Sequence, residues 1–118
     1  MKPKRIQRKR TKGWRMPEGA VSVTRPGKWG NPYHTKPSVD GTRWYVFGPG
    51  VPYRKFAYKQ SAIRFALDEF RQWFDRYIAI DENRLADYIE PLRGKDLACW
   101  CKEGEPCHAD VLLELANS

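Results

Sequence analysis

The stretch CWCKEGEPCH, residues 99–108, gathers every cysteine of the chain and one of its two histidines. Three kinds of chemistry suit such a cluster. Cys99, Cys101, Cys107 and His108 could close a tetrahedral zinc site, because four thiolate and imidazole donors are a common structural set. The fit is imperfect: C-x-C is shorter than the usual C-x₂₋₄-C knuckle, and neighbours such as Cys107 and His108 diverge in direction. Alternatively, Pro106 opens a helix, and the free N–H groups of its first turn would favour a Cys107 thiolate or hold a phosphate or carboxylate. Cys107 and His108 are then the candidate catalytic pair, a nucleophile beside an imidazole that titrates near neutral pH. The third reading is plain packing, since unpaired cysteines are frequent in cores.

A second stretch, RPGKWGNP at residues 25–32, could complete a ligand site. Arg25 and Lys28 are phosphate donors, Trp29 offers a stacking face, and the Asn31 amide can both donate and accept. With Cys101 they form the expected binding set. A buried Trp29, with Gly30 and Pro32 setting the turns, would explain the same loop structurally. His34 reads as a surface residue, and Arg93 and Lys95 as solvated or structural.

The elements that must position these residues follow from pattern. GAVSVT (19–24) is short, β-branched and bounded by prolines, which predicts the first strand. The Gly- and Pro-rich run to Pro37 predicts a loop, TRWYVF (42–47) a hairpin arm after Asp40-Gly41, and residues 48–59 a second loop. From Lys59 to Ile80 apolar residues recur at threes and fours, an amphipathic helix. Asp81 can cap a second helix that Pro91 ends, LACWC reads as a buried strand, and a last helix follows Pro106. This order predicts an α/β class: a small Rossmann-like layered fold with a short, partly parallel sheet flanked by helices. If the first and last strands run parallel, both motif loops leave the same edge of the sheet, where such folds bind ligands.

At 118 residues the chain suits one domain. Its charge is uneven. Residues 1–15 carry eight Lys and Arg and no acid, which accounts for the whole net charge of +8. That segment reads as a flexible basic tail suited to phosphate, with residues 16–118 as the single α/β domain. No apolar run is long enough for a membrane span, and none follows the basic segment as a secretory signal would require. The cytoplasm is the expected location, that of the host cell if the chain is phage-encoded. Clustered cysteines without distant partners agree with a reducing compartment.

The blocks MPEGAVSVTRPGKWGNPY (16–33) and LRGKDLACWCKEGEPCHADVLLEL (92–115) resemble domain-of-unknown-function family 4326, which is common in bacteriophages and bacteria. The resemblance rests on R-P-x-K-W-G-N-P followed, after a helix, by G-K-x-L-x-C-W-C and C-H. The closing block is also similar, more distantly, to domain-of-unknown-function family 488, a Rossmann-like family. There Cys99, Cys107 and His108 fall on matching positions, while Cys101 replaces an acid and Ala109 an arginine. These resemblances imply a fold and leave the reaction open. The leading expectation is a phage-type protein binding a nucleotide or nucleic acid where the two motif loops meet. A zinc-stabilised domain that binds a host or phage protein without catalysis is the alternative. A thiol-dependent enzyme acting on nucleosides or bases is the third.

Overall fold

Leu97, Ala98 and Cys99 are each at most 1% exposed. A short run with no polar alternation suits a strand covered on both faces and paired along both edges, and the computed structural model, which describes residues 2–25, 27–51 and 54–117, places it there. Numbered along the chain, the strands are β1 (Arg5–Gln7), β2 (Val21–Ser22), β3 (His34–Pro37), β4 (Trp44–Phe47), β5 (Arg54–Phe56) and β6 (Leu97–Cys99). The helices are α1 (Lys59–Tyr77), α2 (Glu82–Ile89) and α3 (His108–Asn117), with a single 3₁₀ turn at Glu90–Leu92.

β6 lies at the centre of a three-stranded sheet of order β1-β6-β2, parallel to both neighbours. Leu97 stands level with Arg5 on one side and Val21 on the other. The pairing runs on past the strand ends: Arg8 donates to the Cys99 carbonyl at 2.7 Å and Val23 to the Ala98 carbonyl at 2.9 Å. The expected α/β class and the parallel relation of the first motif strand to the last are therefore present.

Three expectations are corrected. Residues 1–15 are not wholly a tail, because Arg5–Gln7 form an edge strand of this sheet. The loop drawn through Pro37 contains β3, and the second loop contains β5; with β4 they make a separate antiparallel sheet of order β3-β4-β5. Pro37 is tolerated because it ends an edge strand.

Helix α1 packs across β3, β4 and β5. Its buried Ala62, Ala66, Phe70 and Phe74 recur every four residues and form one stripe. Asp81 caps α2 by accepting from the N–H groups of Asn83 and Arg84, and those bonds hold its carboxyl below the usual range. Helix α3 rests on β6 and touches β1, α1 and α2. Parallel strands thus deliver three segments to one edge: those beginning at residues 8, 23 and 100.

Candidate functional site

Beyond Cys99 the chain bends through Trp100 and Cys101, turns at Gly104 with φ +85°, and returns to Cys107 immediately before α3. This return brings three sulfurs together. Sγ of Cys107 lies 2.7 Å from that of Cys101 and 3.4 Å from that of Cys99, and all three lie within 4.8 Å of one another. Cys99 and Cys107 are 1% and 3% exposed, and Cys101 is half-buried. Hydrogen bonds from the Cys101 and Cys107 thiols push the Cys99 pKa far down. Cys107 is driven far up, chiefly by the same hydrogen bonds to Cys101 and Cys99 and then by burial. For Cys101 the hydrogen bond with Cys107 acts downward, but the bond to Cys99 and burial outweigh it. The three thiols therefore share their protons through one hydrogen-bonded cluster. Cys107, expected at the start of the last helix, sits just before α3 and is enclosed.

The loop between Lys102 and Glu105 is fastened from a distant strand. The Arg5 guanidinium donates to the carbonyls of Glu105 at 2.6 Å and Lys102 at 3.1 Å, and to Asp110 Oδ2 in the first turn of α3 at 2.8 Å. Arg5 is only 13% exposed. Nothing in its position within a run of cations marks this role.

His108 ties the other motif loop to α3. Its Nε2 lies 2.7 Å from the Val23 carbonyl oxygen and 3.1 Å from that of Trp29. Two acceptors at one nitrogen require the proton there, leaving the Nδ1 lone pair towards Cys107 Sγ at 3.8 Å. Its ring meets Phe70 edge-on, and burial lowers its pKa. The expected proton carrier is a buried clamp.

The cavity between the loops has a volume of about 330 Å³. Arg25, Asn31, Cys101, Cys107 and His108 line it, joined by His34, Lys59, Trp100 and Cys99. The two motif loops therefore converge. Asn31 Oδ1 accepts from the Tyr33 N–H at 2.8 Å, which leaves its amide nitrogen as the available donor. Gly30 is required by close approach, since a Cβ there would sit 2.7–2.9 Å from Arg25 Cγ, Cα and N. His34, read from sequence as a surface residue, is stacked on Phe47, and burial lowers its pKa.

Lys28 and Trp29 do not line the cavity. Lys28 Nζ donates to the Asp87 carbonyl at 3.1 Å, and Trp29 Nε1 to the Tyr88 carbonyl at 2.8 Å, so both point at α2. At the rim, Arg8 reaches from the end of β1 to Ser22 in β2 and to Thr24 beyond it. Trp100 is 40% exposed and carries the guanidiniums of Arg8 and Arg10 at 4.5 and 4.4 Å from its ring centroid. Among the described residues no helix is long and apolar enough to cross a membrane.

Comparison with known proteins gives a family match and one short relative. The family model described as Domain of unknown function (DUF4326) matches residues 6–118. An uncharacterized 12.4 kDa protein from the nrdA-td intergenic region of Enterobacteria phage T4 is 40% identical over 52 residues. That match covers 44% of this chain and 46% of the phage protein, so the chain spans under half of its relative's length. No solved structure matches the chain.

Proposed function

Since the chain belongs to the DUF4326 family over residues 6–118, a domain of unknown function, the chemistry must be read from its own site, and we propose that it binds nucleic acid, seating one nucleotide in the cavity. The observation that carries this reading is the exit of the basic segment. Residues following β1 leave the sheet on the same edge as the cavity, because β1 is parallel to β6 and β2. Lys9, Arg10, Lys12 and Arg15, all exposed, belong to that segment. Of the charge that the sequence assigns to a free tail, Arg8 and Arg10 reach Trp100 in the cavity lining. Arg25 and Lys59 add exposed cations at the cavity itself.

The division of labour follows from the residue types. Lysine and arginine on the rim neutralise phosphates and release counterions, the main source of sequence-independent affinity. Trp100 carries the guanidiniums of Arg8 and Arg10 over its ring and provides a flat surface on which an unpaired base can stack when a guanidinium swings to a phosphate. A cavity of about 330 Å³ is near the lower end of ligand sites, a size suited to one nucleotide rather than a dinucleotide. The Asn31 amide nitrogen and His34 offer polar contacts inside it. A thiol-dependent reaction has less support, because Cys107 is only 3% exposed.

Fluorescence anisotropy with labelled single-stranded and duplex oligonucleotides, at several salt concentrations, tests the reading. The wild type should bind with log affinity falling linearly in log salt. The combined Lys9→Ala, Arg10→Ala and Lys12→Ala variant should lose a slope of about 0.7–0.9 for each phosphate contact removed. Equal slopes for both proteins, or no binding by the wild type at low salt, would overturn it.

A further inference from the structure

The three cysteines reach one point from three places: the end of β6, the bend after it, and the residue before α3. We infer that Cys99, Cys101 and Cys107 bind one thiophilic divalent cation of the zinc class, with its fourth coordination position open to the cavity. This does not depend on nucleic-acid binding.

The sulfur geometry is close to what such an ion needs. Metal–sulfur bonds of about 2.3 Å in a tetrahedron put the sulfurs about 3.8 Å apart. The separations of 2.7 and 3.4 Å, with all three inside 4.8 Å, reach that by small side-chain rotations. A disulfide is a poorer account of the cluster, because pairing any two sulfurs strands the third. The loop that carries Cys101 back to Cys107 is also held in place by Arg5 through two backbone carbonyls, which positions the donors before an ion arrives.

The open position follows from His108. Its Nδ1 faces Cys107 Sγ at 3.8 Å, but it stands outside the group of three sulfurs that all lie within 4.8 Å of one another, and the two carbonyls on Nε2 hold the ring there. All three cysteines line the cavity. An ion bound there would complete its shell with water or a small anion from the cavity side, the arrangement that permits ligand exchange.

The full chain, purified after growth in zinc-supplemented medium, should hold about one zinc per chain by elemental analysis. Cys101→Ser, at the half-buried position, should lose it while keeping the wild-type circular dichroism spectrum. If that variant misfolds, cobalt(II) substitution of the wild type still decides. Thiolate charge-transfer and visible bands should appear, and the visible bands should change when azide is added. A folded wild type holding under about 0.1 zinc per chain after loading would overturn the inference. Cobalt bands that ignore azide but shift in His108→Gln would also overturn it, since imidazole would then close the site.

Discussion

His108 and Val23, 85 positions apart in sequence, are joined by a 2.7 Å hydrogen bond from imidazole Nε2 to the backbone oxygen. The same nitrogen serves the Trp29 carbonyl, so one ring links the start of α3 to both ends of the loop that carries Arg25. His108→Ala strands one buried and one part-buried acceptor and opens a void against Phe70. The expected cost is about 2–4 kcal/mol, measured by urea unfolding, with faster amide exchange at Gly30 and Asn31. A loss below about 1 kcal/mol would refute the clamp.

Arg5→Ala should destabilise the chain by about 2–3 kcal/mol, the scale of losing charge-assisted hydrogen bonds to partly buried carbonyls. The Asp110 ion pair adds little, because that carboxylate is exposed. Arg5→Lys should recover only part of the loss, since an ammonium cannot reproduce the fork. Full recovery in thermal melts would show that charge alone matters.

Trp29→Phe separates structure from binding. It removes the hydrogen bond to the Tyr88 carbonyl and should cost about 1–3 kcal/mol, with unchanged oligonucleotide affinity under conditions where both proteins are folded. A selective loss of affinity would return Trp29 to the binding surface.

His34 sets a pH dependence. Burial, then Arg25 and Lys36, lower its pKa from the ordinary 6.5. As pH falls below that value the unfolded chain takes up the proton before the folded one does, so the unfolded state gains. Stability is full above about pH 6.5 and is lost as pH falls through the folded pKa. His34→Gln should therefore flatten the decline in Tm between about pH 7 and pH 5. His108, shifted the same way, keeps part of the slope. An unchanged slope in the variant would assign the whole effect elsewhere.

Much of the framework was legible because its signals are local. The four-residue stripe of α1, the Asp81 cap and the unbroken apolar run of β6 each declare themselves within a few residues. Convergence of the Arg25 loop with the Cys107 return was also readable, since it needs only parallel strands. β1 was not: Arg-Ile-Gln is too short for a period and is embedded in cations, and it is a strand only because β6 has an open edge beside it. The roles of Arg5, Lys28 and Trp29 were hidden for a related reason. A basic or aromatic side chain looks the same in sequence whether it faces a ligand or a carbonyl more than fifty residues away.

The strand order has a consequence for synthesis. β1 and β2 touch β6 but not each other, and the bond between the Lys4 amide and Asp96 spans 92 positions. A nascent chain leaving the ribosome therefore carries two strand segments with no mate until Leu97–Cys99 has been made. Helix α1 and the antiparallel hairpins can form early, but the parallel sheet closes last, by insertion of β6 between waiting edges. Such non-local closure is slow, and the interval before it is when this chain is most exposed to aggregation and most in need of chaperones.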